Sequence, residues 1–413
     1  MKPLRRRRRD LIATGAISVA SLLFVAGVWW AAPIRDSHLE PVAQPPAAPL
    51  QAAMALPSTL EPLWEADVPA MINTPIMAAG YPVVLDSTGK TVQSIDPKTG
   101  QTRWSYTRDV ELCSMASAWD SVVLSYRSGR GCGEVVAIHG LDGTYQATRA
   151  AHASDQVVPI SSKDRAGIVS PERVELWRSD LVRTVVYGEI DIQQEPNEQP
   201  HPECVISSAL TRATLLAVAE TCKGHTFVRL QSPDPESSSV PEVDASVEFA
   251  KGSQVVGISA NAVAVYEPGS PAHFYVFNSE GKQQHSEEIA ASPLVEGLSQ
   301  GEVFNPQVAS AGKFVQWFDG TRLYVLNART LVPVRIFDQA IGTGTMVGSQ
   351  LAIPTEAGVE LYPVEQYQIQ EKPDRELKIA RAGTASKVAL GVSGDVLLEL
   401  RDDRLVGLGA RAS

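Results

Sequence analysis

From residue 63 onward the chain is written in short alternating runs. Apolar and polar positions exchange along stretches rich in Val, Ile, Leu and Tyr, and turn residues separate the stretches. Examples are SVVLSYR (121–127), AVAVYEPG (262–269), HFYVFNSEGK (273–282) and RLYVLNARTLVPVRIF (322–337). A period of two with few helical stretches predicts an all-β fold. Pairs such as Asp142-Gly143, Glu280-Gly281 and Asp319-Gly320 supply the tight turns between strands. The strands fall into groups that begin near residues 74, 112, 157, 204, 254, 304, 343 and 384, a spacing of 35–45 residues. Four strands per unit at that period predict a β-propeller. One such sheet cannot cover both of its apolar faces, so the blades must stack around an axis.

The last group, SKVALGVSGDVLLELRDDRLVGLGA (386–410), supplies three clear strands, and LWEADV (63–68) is a strand left over at the other end. Pairing the two closes the ring and removes two exposed edges. The fold predicted is therefore a propeller of eight four-stranded blades over residues 63–413. Seven blades is the alternative, because the groups near 157 and 343 are degenerate; a two-domain β-sandwich is the competing architecture.

The N-terminus follows another pattern. Residues 11–32, LIATGAISVASLLFVAGVWWAA, carry no charge. As a helix, at about 1.5 Å per residue, they reach roughly 33 Å, the thickness of a bilayer core. Lys2 and Arg5 to Arg9 lie on one flank only, and Trp29-Trp30 at the other. The positive-inside rule and an aromatic belt predict a single span, with residues 1–10 as a cytoplasmic tail and the rest of the chain extracytoplasmic in the cell membrane. A cleaved signal peptide is the competing reading; the apolar run is longer than an ordinary signal core, and bulky tryptophans precede Ala31-Ala32. Residues 33–62, rich in Pro and Ala, sustain no period and are expected to be an extended spacer.

Charge separates the two regions. Residues 1–35 carry seven Lys/Arg against one acid, whereas the remainder carries 29 basic against 46 acidic residues. An exported domain that acidic is not expected to bind nucleic acid, because phosphate contacts need Lys and Arg.

In SIDPKTGQTRWSY (94–106), Asp96 ends a strand, Thr99-Gly100 makes the turn and Trp104 follows. This resembles the repeat of the pyrroloquinoline-quinone-like propellers, in which the Trp docks between blades. The other turns keep the shape without the Trp. With the basic N-terminus and single span, the chain resembles membrane-anchored propellers of actinobacterial envelopes. The resemblance implies the fold but not the cofactor: quinoprotein dehydrogenases are longer and hold their quinone with calcium and a vicinal cysteine pair, and no two cysteines here are adjacent. No cofactor is expected. The functional analogy is with the scaffold propeller of outer-membrane protein assembly.

Four cysteines remain, Cys113, Cys132, Cys204 and Cys222. Each pair lies within one predicted blade, and an exported domain favours disulfides, so Cys113–Cys132 and Cys204–Cys222 are expected. The competing idea is a zinc site, since His201, Cys204, Cys222 and His225 form H-x2-C…C-x2-H about a turn. No G-x-S-x-G, H-E-x-x-H, Walker or G-x-G-x-x-G motif occurs. Gly342-Thr-Gly-Thr345 leads into a strand and reads as a blade turn. His139, His152, His273 and His285 have no partner pattern, and Trp64, Trp104, Trp119, Trp177 and Trp317 are expected to pack between blades. No catalytic residue is assigned. The expectation is a non-enzymatic membrane-anchored scaffold for protein–protein interactions in the cell envelope, serving assembly, secretion or division. The alternative is a ligand- or quinone-binding redox protein that uses the central channel.

Overall fold

The computed structural model describes residues 7–69, 72–190, 198–299, 301–381 and 387–410. Lys2, Arg5 and Arg6 of the basic block lie outside the described residues. The alternating runs form strands, RLYVLNARTLVPVRIF (322–337) supplying two, and each group forms one antiparallel sheet, with the first and last groups joined through the pairing of Asp67 with Leu85. Blades 1 to 7 occupy 77–107, 112–150, 158–188, 205–249, 254–289, 308–337 and 345–378. Blade 8 takes three strands from 388–409 and its outermost strand from Glu61–Asp67, which runs antiparallel to Arg404–Gly409 with Trp64 opposite Gly407. The ring is thus closed by both ends of the domain. The count is eight, since the degenerate groups near 157 and 343 both form full blades.

Alternation explains the packing. Both faces of a blade are apolar, and each face is covered by a neighbour. Val256 and Tyr266 of blade 5 share a buried cluster with Val315 and Trp317 of blade 6, and Ala217 and Val228 of blade 4 share one with Val263 and Val265 of blade 5. Innermost strands line the axis. The turns after the first and third strands of every blade define one face, called upper below; the connections between blades define the lower face.

Neighbouring blades are also latched at their rims. Asp96 Oδ1 accepts from the backbone N–H of Lys98 (3.0 Å) and Thr99 (2.9 Å) and from the Thr99 hydroxyl (3.1 Å). Gly100 completes this turn at φ +68°, a conformation costly for residues with a Cβ. Trp104, in the outermost strand of blade 1, donates Nε1 to the Gly140 carbonyl of blade 2 (3.1 Å). Its side chain lies so close to the turn that a Cβ at Gly143 would stand 2.5 Å from Trp104 Cβ. Trp64, in the outermost strand of blade 8, does the same to blade 1: Nε1 donates to the Pro97 carbonyl (2.6 Å), and a Cβ at Gly100 would stand 2.8 Å from its own. Elsewhere other side chains fill the position. Gln146 donates to the Ser179 carbonyl (2.8 Å), Arg183 to the Ser239 hydroxyl (2.9 Å) and Arg335 to the carbonyls of Gln370 and Glu371. Ala245 packs directly on Gly281.

The segment expected as a spacer is instead a strap on the propeller. His38–Glu40 adds a short strand to the outer edge of blade 1, antiparallel to Thr102–Thr107. The strap then crosses the upper face: Val42 N–H donates to the Asp142 carbonyl (2.8 Å), Leu50 to Ala79 (2.9 Å) and Ala53 to Gly394 (2.7 Å). Leu56 and Leu60 are buried between blades 7 and 8, and Arg375 donates to the Leu56 carbonyl (3.0 Å). The reason is that isolated leucines among the prolines find apolar sites, although their spacing follows no regular period. The N-terminal helix spans Arg8–Trp30 rather than 11–32, with every described side chain exposed. It has the length and composition of a membrane span or a signal sequence.

Two outcomes are expected in denaturant unfolding of the full-length protein. Trp64→Ala and Trp104→Ala should each cost about 3–5 kcal/mol, whereas Gln146→Ala, which loses the bond to Ser179 and the one accepted from Ser121, should cost about 1–2 kcal/mol. Leu56→Ala and Leu60→Ala should each cost about 2–4 kcal/mol; a free spacer would show no change.

Candidate functional site: the central channel

The eight innermost strands surround a cavity of about 760 Å³. Its wall mixes apolar residues, such as Met115, Ile160, Ile258 and Leu390, with a polar lining that is mostly Ser, Thr and Asn. Asp120, Lys163 and Arg212 are its charged residues, all at the upper mouth.

The lower mouth is closed by the connection between blades 5 and 6. That connection starts with the short helix Pro293–Glu296, capped by the Ser292 hydroxyl, which accepts from Val295 N–H (3.3 Å). Residues 301–307 then reach across the axis. Val303 packs on the apolar cluster shared by blades 3 and 4, and Phe304 N–H donates to the Ser207 carbonyl (2.7 Å). The Asn305 carbonyl accepts from Asn73 Nδ2 (2.8 Å), on the irregular segment leading into blade 1. Asn73 Oδ1 in turn accepts from Lys387 Nζ (3.1 Å). Burial pulls the Lys387 ammonium pKa down from its ordinary value, partly offset by the charge of Asp402. The channel is therefore a blind pocket that opens upward.

Of the residues singled out in the sequence, Trp119, Gly344 and Thr345 line this pocket, whereas the cysteines and their flanking histidines are placed away from it. Cys113–Cys132 and Cys204–Cys222 are both disulfide-bonded, with Cα–Cα separations of 5.8 and 4.8 Å, near the lower edges of blades 2 and 4. The hairpin Val205–Arg212 and Leu215–Cys222 brings the second pair together. His201 and Glu203 stand beside Cys204, but His225 turns away to Glu248, its Nδ1 2.9 Å from a carboxylate oxygen. Sulfurs bonded to each other do not ligate zinc, so His201, Cys204, Cys222 and His225 do not form a tetrahedral donor set here. Trp104, Trp177 and Trp317 are fully buried, while Trp119 sits half-buried at the upper turn of blade 2.

Sequence reading missed the buried acids. Glu175, Glu220, Asp319 and Glu399 are nearly inaccessible, and each meets arginine: Arg149, Arg229 (2.7 Å), Arg322 (Nε, 2.9 Å), and both Arg381 and Arg401 (2.7 Å each). A buried carboxylate needs such a partner to remain charged. None of them lines the channel, so they hold blades rather than offer chemistry. Their only signal was a single acid inside an apolar run, as in VLLELR (396–401).

No protein family and no curated protein matches this chain. Solved structures do. BamB from Moraxella catarrhalis is similar at 12% identity over 85% of this chain and 100% of its own, with a TM-score of 0.47. The Dos1 propeller is similar at 10% identity over 88% and 96%, with a TM-score of 0.46. The dihydro-heme d1 dehydrogenase NirN in complex with DHE is similar at 13% identity over 86% and 76%, with a TM-score of 0.47. Among the described residues Asp120 is the one carboxylate in the channel lining.

Peptide mapping without reduction should recover Cys113 linked to Cys132 and Cys204 linked to Cys222, with added zinc leaving thermal unfolding unchanged. Free thiols at 204 and 222 together with zinc-dependent stabilisation would restore the metal reading.

Proposed function

We propose that this chain is a membrane-anchored, non-enzymatic scaffold that binds other proteins of the cell envelope through the upper face of its propeller. The observation that carries this reading is the asymmetry of the channel. One mouth is crossed by residues 301–307, and the other opens among turns that no secondary structure constrains. Rigid blades that present exposed turns suit recognition of partners. The charged groups of the core are held in ion pairs, and the one lining hydroxyl with a carboxylate contact among the described residues, Ser162 donating to Asp164 (2.7 Å), has no histidine in the lining beside it. Two disulfides favour an oxidising compartment, hence an extracytoplasmic propeller. The Trp latch at Trp64 and Trp104 supports the pyrroloquinoline-quinone-like type of blade.

In this reading the helix is an uncleaved anchor. Only residues 31–37 separate it from the strand His38–Glu40, a reach of at most about 25 Å. His38 lies opposite Thr107, at the lower end of blade 1. The tether thus holds the plugged side toward the bilayer and presents the open mouth away from it.

Two measurements test this. The intact mass of protein extracted from membranes should include residues 1–30; a form beginning after Ala32 would remove the anchor. Photo-crosslinking in cells from upper positions such as Asn261 should capture one reproducible envelope protein, and from lower positions such as Glu356 much less. Capture of none from either face would sink the scaffold.

A further inference from the structure

The upper mouth gathers cations in an otherwise acidic domain. Lys163, Arg212 and Lys313 stand at the first upper turns of blades 3, 4 and 6, and Arg329 on the second upper turn of blade 6. These turns abut one another. The Thr214 hydroxyl donates to the Ala260 carbonyl (2.9 Å), and the Ser259 hydroxyl to the Arg329 carbonyl (3.0 Å). Arg212 Nη1 donates to the Ser310 hydroxyl (2.8 Å), spanning from blade 4 to blade 6. Lys313 lies over the Tyr367 ring, 5.7 Å from its centroid. Among the described residues none of the four cations has a carboxylate within ion-pair distance. The acids on these turns are mostly engaged elsewhere: Asp164 is held by Ser162 (2.7 Å) and faces Arg165 (3.6 Å), Asp234 of blade 4 pairs with Arg165 (3.1 Å), Asp395 of blade 8 pairs with Lys98 (2.9 Å), and Asp120 is exposed on blade 2.

Position matters as much as charge. The strap covers the upper turns of blades 1, 8 and 7, so the cationic crescent occupies the side that the strap leaves bare. A single small anion is held by donors that converge on one point, whereas these cations are distributed over three blades. Immediately below them the wall turns apolar, at Ile160 and Ile258, and the pocket is blind. A chain carrying several carboxylates, with apolar side chains between them, matches both features.

We propose that the open mouth docks an acidic, extended polypeptide segment of the partner, its carboxylates over Lys163, Arg212, Lys313 and Arg329 and an apolar side chain in the channel below. This rests on the scaffold reading and names the partner's chemistry. Surface cations facing carboxylates steer association and make it sensitive to salt.

The test uses full-length protein in lipid nanodiscs and a fluorescein-labelled peptide alternating Glu and Val, read by anisotropy. A Lys/Val peptide, inorganic phosphate and citrate serve as comparison probes. The Glu/Val peptide should bind, and weaken as salt rises from about 50 to about 300 mM. The double variant Lys163→Gln, Arg212→Gln should bind roughly tenfold or more weakly. Lys282→Gln, which removes a cation already paired with Glu280 on the rim of blade 5, should bind as the parent does. Unchanged thermal unfolding of both variants excludes misfolding as the cause. Equal binding of the Lys/Val peptide, no binding of the Glu/Val peptide, or a double variant that binds like the parent would overturn the proposal. So would binding of phosphate or citrate without the peptide, which marks a small-anion site. Partner capture in cells that persists in the double variant would leave the scaffold standing and remove this mouth from it.

Discussion

A four-stranded blade has two apolar faces, and only its neighbours can cover them. Every other feature of this molecule follows from that dependence. The buried clusters run between blades, so a missing neighbour exposes a whole face to water. Closure therefore has to be built in. It is supplied by Glu61–Asp67, which completes blade 8 from the other end of the domain. The same strand carries Trp64, which seats on the Gly100 turn of blade 1. One strand thus closes a sheet and latches the next blade, which makes it the point at which ring and rim are coupled.

The strap draws on the same burial. Leu56 and Leu60 fill the gap between blades 7 and 8, and Leu50 lies against the upper turns of blades 1 and 8. A Pro/Ala-rich segment thereby becomes part of the fold, since a few leucines suffice to anchor it while backbone N–H groups find turn carbonyls. It also divides the upper face into a covered half and a bare half. The bare half carries the uncompensated cations.

The channel gains its direction from the connection between blades 5 and 6. Apolar Val303 and Phe304 turn inward, and the Asn73–Asn305 contact ties the crossing to blade 1. A symmetric pore becomes a pocket with one opening. In the proposed reading a short tether at the lower end of blade 1 orients that opening away from the bilayer.

Local pattern alone determined much of this. Period-two alternation every forty residues specified strands, blades and their number, because side-chain direction in a strand depends only on parity. The leftover strand LWEADV had to pair with the last group, because an open ring leaves edges exposed. The cysteine pairs were legible because each lies on one hairpin or blade. Trp64 was in plain view, 40 residues before Trp104, but its turn partner belongs to another blade. The remaining latches were illegible, since Gln146, Arg183, Ala245 and Arg335 share a position but no single residue type. The strap and the plug carry no period at all; only folded blades create the sites that Leu56 and Phe304 fill. The channel mouth was decided wholly by tertiary structure. Lys163, Arg212, Lys313 and Arg329 are unremarkable loop cations in the sequence, and only closure of the ring brings their turns around one axis.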